Sequence, residues 1–236
     1  MNSELDNNSK DVLVSALKGM SGVVPYAGGM IAELIGQVIP GQRIDRIASF
    51  LKELDLRLKK LEVSREKLES EEFIDLFEDA TIQAMRSLSE ERTKRIASFV
   101  VNVAKDGAQF HSVDKRIIQI LSDLTDDDLQ VLNVVAKGAH HAQRLQHQIQ
   151  GDQLTVGEYE RLTSDEKDAY EVRRATWDAH VGALERLGLV RSVYEVAGAN
   201  LRDIATNGRP SIRGYEITPL GRILIRRIDA AEGSLG

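Results

Sequence analysis

The chain has 236 residues, 42% of them hydrophobic and 29% charged, with a formal net charge of −6 and no cysteine. That length and balance suit one large or two small globular domains with a real core. They exclude a disulfide framework, a cysteine-based zinc site and a wholesale basic nucleic-acid coat.

Aromatic residues make up only 5% of the chain, and its apolar content is mostly Leu, Ile, Val and Ala, which suits helix packing. Residues 1–11 are polar and acidic, read as a flexible tail and not as a signal peptide, so a cytoplasmic protein is expected.

Next comes "GMSGVVPYAGGMIAELIGQVIPG", Gly19–Gly41, in which Glu33 is the sole charge before Ile39. Its length approaches that of a bilayer-crossing helix. Pro25 disfavours one straight helix and predicts a break between Leu13–Met20 and Tyr26–Ile39. Gly28, Ala32 and Gly36, four apart, form one small-residue ridge for close helix packing. Val23, Val24, Tyr26, Met30, Ile31, Leu34, Ile35, Val38 and Ile39 are the residues for membrane or partner contact. Three readings stay open: a hairpin permanently buried in a bundle, a sheltered element released onto a membrane, and a constitutive span.

From Arg43 the pattern changes. Ile44, Ile47, Leu51, Leu54, Leu58, Leu61 and Leu68 follow steps of three and four, with Arg65 in one expected slot. This predicts a single amphipathic helix with a narrow seam. The seam docks into its own bundle, and Ile44 to Leu61 could in addition pair with a second copy.

Ser70 and Ser89 read as N-caps of two further helices, each with acidic residues in the first turn. The first buries Phe73, Leu76, Phe77, Ala80 and Ala84, with Leu88 at its end, and the second Ile96, Phe99, Val100 and Val103. A short helix over His111–Leu124 completes a bundle spanning 12–124. Thr125 caps the next helix, whose first turn carries Asp126, Asp127 and Asp128, and Gly138 stops it. His140–Asp168 is Gln- and His-rich and reads as a polar insertion or extra surface helix. Tyr170–Leu187 is helical again and ends at Gly188. Leu189–Val196 and Gly214–Thr218 give the β signal, separated by the turn dipeptide Asn207-Gly208, and Pro219 opens the last helix. The order of elements over 125–230 is that of a winged-helix-like α+β domain; 231–236 is a second flexible tail.

Chemistry has few handles. No phosphate loop, dinucleotide fingerprint or nucleophile elbow is present. His140, His141, His147 and Asp152 lack metal-ligand spacing, and the three consecutive aspartates lack the loop pattern of a calcium site. His111 and His180 read as ordinary surface or cap residues. The sequence implies no catalysis, no cofactor and no metal. Arg173, Arg174, Arg209 and Arg213 are candidates for nucleic-acid phosphates, with Arg186, Arg191, Arg202, Arg222, Arg226 and Arg227 nearby. Asp168, Glu171, Asp178 and Glu185 on the same helix oppose that reading, so protein contact is preferred to DNA.

The stretches "SEEFIDLFEDATIQAMRSLSEERTKRIASFVVN", "IIQILSDLTDDDLQVLNVVAKG" and "ALERLGLVRS…YEITPLGRILI", within Ser70–Ile228, resemble the bacterial abortive-infection alpha family. The N-terminal arrangement is more loosely similar to helical-bundle pore-forming cell-death domains. The resemblance implies anti-phage defence: a non-enzymatic immunity protein that senses or binds a partner and acts through its apolar N-terminal region on a membrane or a second effector. Its partner would be a neighbouring defence gene product or a phage component, with homo-oligomers and conditional membrane association as further expectations. The alternatives are a winged-helix DNA-binding regulator and an adaptor of a multi-protein defence complex.

Overall fold

A computed structural model describes residues 12–18, 29, 41–61, 63–105, 112–152, 154–194 and 212–229. They are mainly helical, with one small two-stranded antiparallel sheet near the C-terminus. Packing divides the chain into two units. One takes the chain up to Ser122 and again from Arg226; the other is Asp123–Ile225.

In the first unit, helical residues 12–18 bury Leu13. Helix α1 (Gly41–Leu58) presents Ile44, Ile47, Phe50, Leu51, Leu54 and Leu58 to α3 (Glu71–Arg86) and α4 (Glu90–Lys105), and the three pack mutually. Phe50 and Phe77 meet with ring centroids 6.2 Å apart, and Phe73 stacks on Phe77 at 6.5 Å. Ser70 accepts from the Phe73 amide at 3.3 Å, and Ser89 from the Arg92 amide at 3.0 Å, so both expected caps form. Helix α5 (Ser112–Asp123) buries Ile117, Ile118, Ile120 and Leu121. It is tied to α3 by Gln83 Nε2 donating to the Ile118 carbonyl and to α4 by Arg92 donating to the Leu121 carbonyl.

The single helix expected over 43–68 breaks. Lys60 N donates to Arg57 O at 3.3 Å and Leu61 N to Leu58 O at 2.9 Å; these i→i+3 bonds tighten the last turn of α1. Leu61 is half-buried, and Leu68 reaches the core from a separate one-turn helix, α2 (Arg65–Leu68). The apolar period continues past the break because the chain returns to the same core.

In the second unit, Thr125 and Asp128 form a reciprocal capping box at the start of α6 (Asp126–Ala136), which Gly138, at φ 112°, separates from α7 (Ala139–Gln150). Capping boxes Thr155/Glu158 and Thr163/Glu166 open the short α8 (Val156–Glu160) and the long α9 (Ser164–Arg186). Of the two readings of 140–168, polar insertion or extra surface helix, the structure has helix at Ala139–Gln150, at Val156–Glu160 and from Ser164. Residues 139–150 are a packed helix against α6, α9 and the sheet, and α9 starts six residues before Tyr170.

Strands β1 (Val190–Tyr194) and β2 (Ile212–Ile217) pair from Val190↔Ile217 to Tyr194↔Ile212, with an irregularity after Val193. Thr218 then starts α10 (Pro219–Ile228). Its amide donates to the Leu189 carbonyl at 2.9 Å, and its hydroxyl accepts from the Gly221 amide at 3.1 Å. Gly221 sits against Leu189: a Cβ there would lie inside 3.0 Å of the Leu189 carbonyl oxygen. The residues of α10 from Arg226 onward belong to the first unit.

Candidate functional site

Helix α9 is the longest described helix, yet its buried residues are confined to Tyr170, Trp177, Val181 and Leu184. Nearly all of its first half is solvent-facing. A 23-residue helix holds its shape with so few anchors because its capping box satisfies the first orphan amides and Trp177, fully buried, packs near Tyr215 with centroids 6.1 Å apart. Burial pushes the Tyr215 phenol above its usual range. Near the N-terminal end of α9, Tyr159 and Tyr170 approach at 5.7 Å, with Lys167 over the Tyr159 ring and Arg174 over the Tyr170 ring. A hydrogen bond to Glu171 pushes the Tyr159 phenol up.

Helices α7 and α9 frame a cleft of about 340 Å³. One wall carries Gln143, Gln146, His147 and Gln150 at helical spacing; the other carries Tyr170, Arg174 and Asp178. Gly151 and Asp152 close one end, where His147 and Asp152 stand 3.5 Å apart. Gln146 donates to Gln150 at 3.0 Å, which orders that wall.

The arginines separate into two groups. Arg173, Arg174, Arg186, Arg213, Arg222 and Arg226 are exposed. Arg191, although also exposed, pairs with Glu216 across the strands at 2.7 Å. Arg227 is buried in the first unit and donates to Asp114 at 3.0 Å, the carboxylate being fully buried, so the reading of Arg227 as a phosphate contact is corrected. On α9 the acidic Asp165, Glu166, Asp168, Glu171, Asp178 and Glu185 outnumber the basic Lys167, Arg173, Arg174 and Arg186.

The seam residues Ile44, Ile47, Leu51, Leu54 and Leu58 are buried inside their own bundle, the docking expected of them. Val23, Val24, Tyr26, Gly28, Met30, Ile31, Ala32, Leu34, Ile35, Gly36, Val38, Ile39 and Arg209 lie outside the described residues. Among the described residues, no helix is long and apolar enough to cross a membrane, and no group of three or more His, Asp or Glu could hold a metal ion.

Two polar contacts escaped the sequence reading. His180 is half-buried, and its Nδ1 lies 2.8 Å from Asp128 Oδ1, so it is no ordinary surface residue. The other carboxylate oxygen of Asp128 accepts from the Thr125 amide and hydroxyl. One buried carboxylate thus caps α6 and anchors α9. The other contact is Asp114–Arg227. Neither pair has a local signal, since the partners are 52 and 113 residues apart.

No family model, curated protein or solved structure matches the chain. What the chain does is therefore argued from its own geometry.

Proposed function

We propose that this is a non-enzymatic, partner-binding protein of bacterial anti-phage defence. In this reading the second unit, winged-helix-like in its order of helices, paired strands and terminal helix, docks a protein partner on the exposed face of α9. The N-terminal apolar stretch Gly19–Ile39 carries the response to a membrane or a second effector.

One observation carries the choice of protein over nucleic acid: the charge layout around α9. Six carboxylates interleave with its four cations, and Arg191 and Arg227 are committed to carboxylates within the chain. A phosphate-tracking surface needs cations of one sign in a stripe, whereas mixed charge suits a specific protein docking face. The defence context rests on the family resemblance of the three quoted stretches.

Phage plating efficiency tests it. Cells carrying the native chain are expected to restrict phage, and Glu171→Lys with Arg173→Glu, both exposed, to lose restriction in protein that remains folded. Plating that the native chain does not alter overturns the defence reading. Duplex affinity that falls with salt and disappears in Arg173→Glu with Arg174→Glu would favour the DNA-binding regulator instead. For the apolar stretch, Gly28→Asp, Ile31→Asp and Ile35→Asp are expected to abolish liposome leakage; leakage unchanged in folded variants removes the membrane half of the proposal.

A further inference from the structure

Arg174 and Asp178 stand four apart on the same face of α9, where neighbouring Cβ atoms lie about 5–6 Å apart. Opposite charges at this spacing can pair, more weakly where, as here, the cation precedes the acid. Here both line the α7–α9 cleft, both are exposed, and neither makes an ion pair with the other or with any other described residue. Arg174 is instead held over the Tyr170 ring, centroid distance 5.8 Å, which fixes the guanidinium and leaves its N–H fork for an oxyanion. Across the cleft, the side-chain amides of Gln143, Gln146 and Gln150 offer donors and acceptors together.

The charges select the ligand. Arg174 is opposed by Asp178, while Asp152 stands 3.5 Å from His147, so a simple anion such as phosphate meets a carboxylate beside the guanidinium. A simple cation leaves Arg174 repelling it. A molecule with a carboxylate and an ammonium a few ångströms apart satisfies both charges of the α9 wall. At about 340 Å³ the cleft lies at the lower end of the roughly 300–1,000 Å³ of small-molecule sites, the scale of an amino acid or dipeptide.

We propose that the α7–α9 cleft binds a small zwitterion, a dipeptide, with its carboxylate on Arg174, its ammonium on Asp178 and its amide edge on the glutamine wall. This site is independent of protein docking on α9, which the plating assay tests separately.

Nuclear magnetic resonance on the full chain decides the matter through the side-chain amide signals of Gln143, Gln146 and Gln150. The probes are alanyl-alanine, its N-acetylated form, its C-terminal amide and inorganic phosphate. Alanyl-alanine is expected to shift these signals saturably, with each blocked form binding about tenfold more weakly for loss of one charge-assisted contact. In Arg174→Gln the preference for the dipeptide over its amide should vanish; in Asp178→Asn the preference over the acetylated form should vanish. Both side chains are exposed, so the unfolding midpoints should match that of the native chain. No saturable shift with alanyl-alanine, equal binding of phosphate or a blocked form, or unaltered preferences in the two variants would overturn the inference.

Discussion

Helices α1 and α9 are built on opposite terms. Seven of the eighteen residues of α1 are buried, all on one stripe that meets α3 and α4. Four of the twenty-three residues of α9 are buried, and the remainder carry charge of both signs into solvent. Helical stability in proteins comes mainly from packing an apolar face. In α1 the sequence is spent on that face. In α9 the minimum is spent, by one tryptophan and three smaller contacts, and the surplus length is surface. The difference is one of burial: α1 is built to pack, and α9 leaves most of its length exposed.

The largest effect should come from the aromatic centre of the bundle. Phe50→Ala or Phe77→Ala is expected to cost about 3–5 kcal/mol in urea unfolding of the full chain, against no more than about 0.5 kcal/mol for Val172→Ala on the outer face of α9. A Val172 cost equal to that of Phe77 would end the contrast. Next, Asp114→Ala leaves the Arg227 guanidinium buried without its carboxylate and should cost about 3–5 kcal/mol. The double replacement Asp114→Leu with Arg227→Met should recover much of that loss. Gly221→Ala forces a methyl against the Leu189 carbonyl and should cost about 1–3 kcal/mol, read as a lowered unfolding midpoint.

Smaller effects sharpen the account of α6, α8 and α9. Thr125→Ala removes a capping-box hydroxyl and should cost about 1 kcal/mol in the same assay. The smallest effect is a pH dependence. Hydrogen bonds from the Thr155 hydroxyl and amide hold the Glu158 carboxyl below its usual range, and those from the Thr163 amide and hydroxyl do so for Glu166. A carboxyl depressed in the folded state stabilises fully above its unfolded pKa and loses that contribution as pH falls through the folded value. Amide protection factors, taken relative to the intrinsic exchange rate at each pH, should therefore fall at the first turns of α8 and α9 on acidification, while the first turn of α1, which has no acidic residue, should not follow.

The seam of α1 was legible because a three-four step survives any detail of packing. It overran at Leu61 and Leu68 because periodicity reports which face is apolar, not whether the backbone turns between two residues that share that face. Caps at Ser70, Ser89 and Thr125 were readable, being contacts over three residues. Helix α7 is open between insertion and surface helix in the sequence because Ala142 alone is buried along it, so hydropathy carries no stripe. Of the cleft, Arg174 is visible in the sequence as a candidate phosphate contact. Its relation to the glutamines of α7 depends on helix packing that no local pattern encodes. His180 and Arg227 were undervalued for the same reason: each is defined by a carboxylate far along the chain.

Asn102 and Asp114 also bear on the order of synthesis. Asp114 meets Arg227, and the Asn102 side chain donates to the carbonyls of Arg227 and Asp229 at 2.9 and 3.0 Å. Those partners leave the ribosome more than a hundred residues later. While the second unit is being made, the contacts of Asn102 and Asp114 with Arg227 and Asp229 are still to form. These contacts of the first unit therefore wait until the second has been synthesised, whatever its helices have achieved before then.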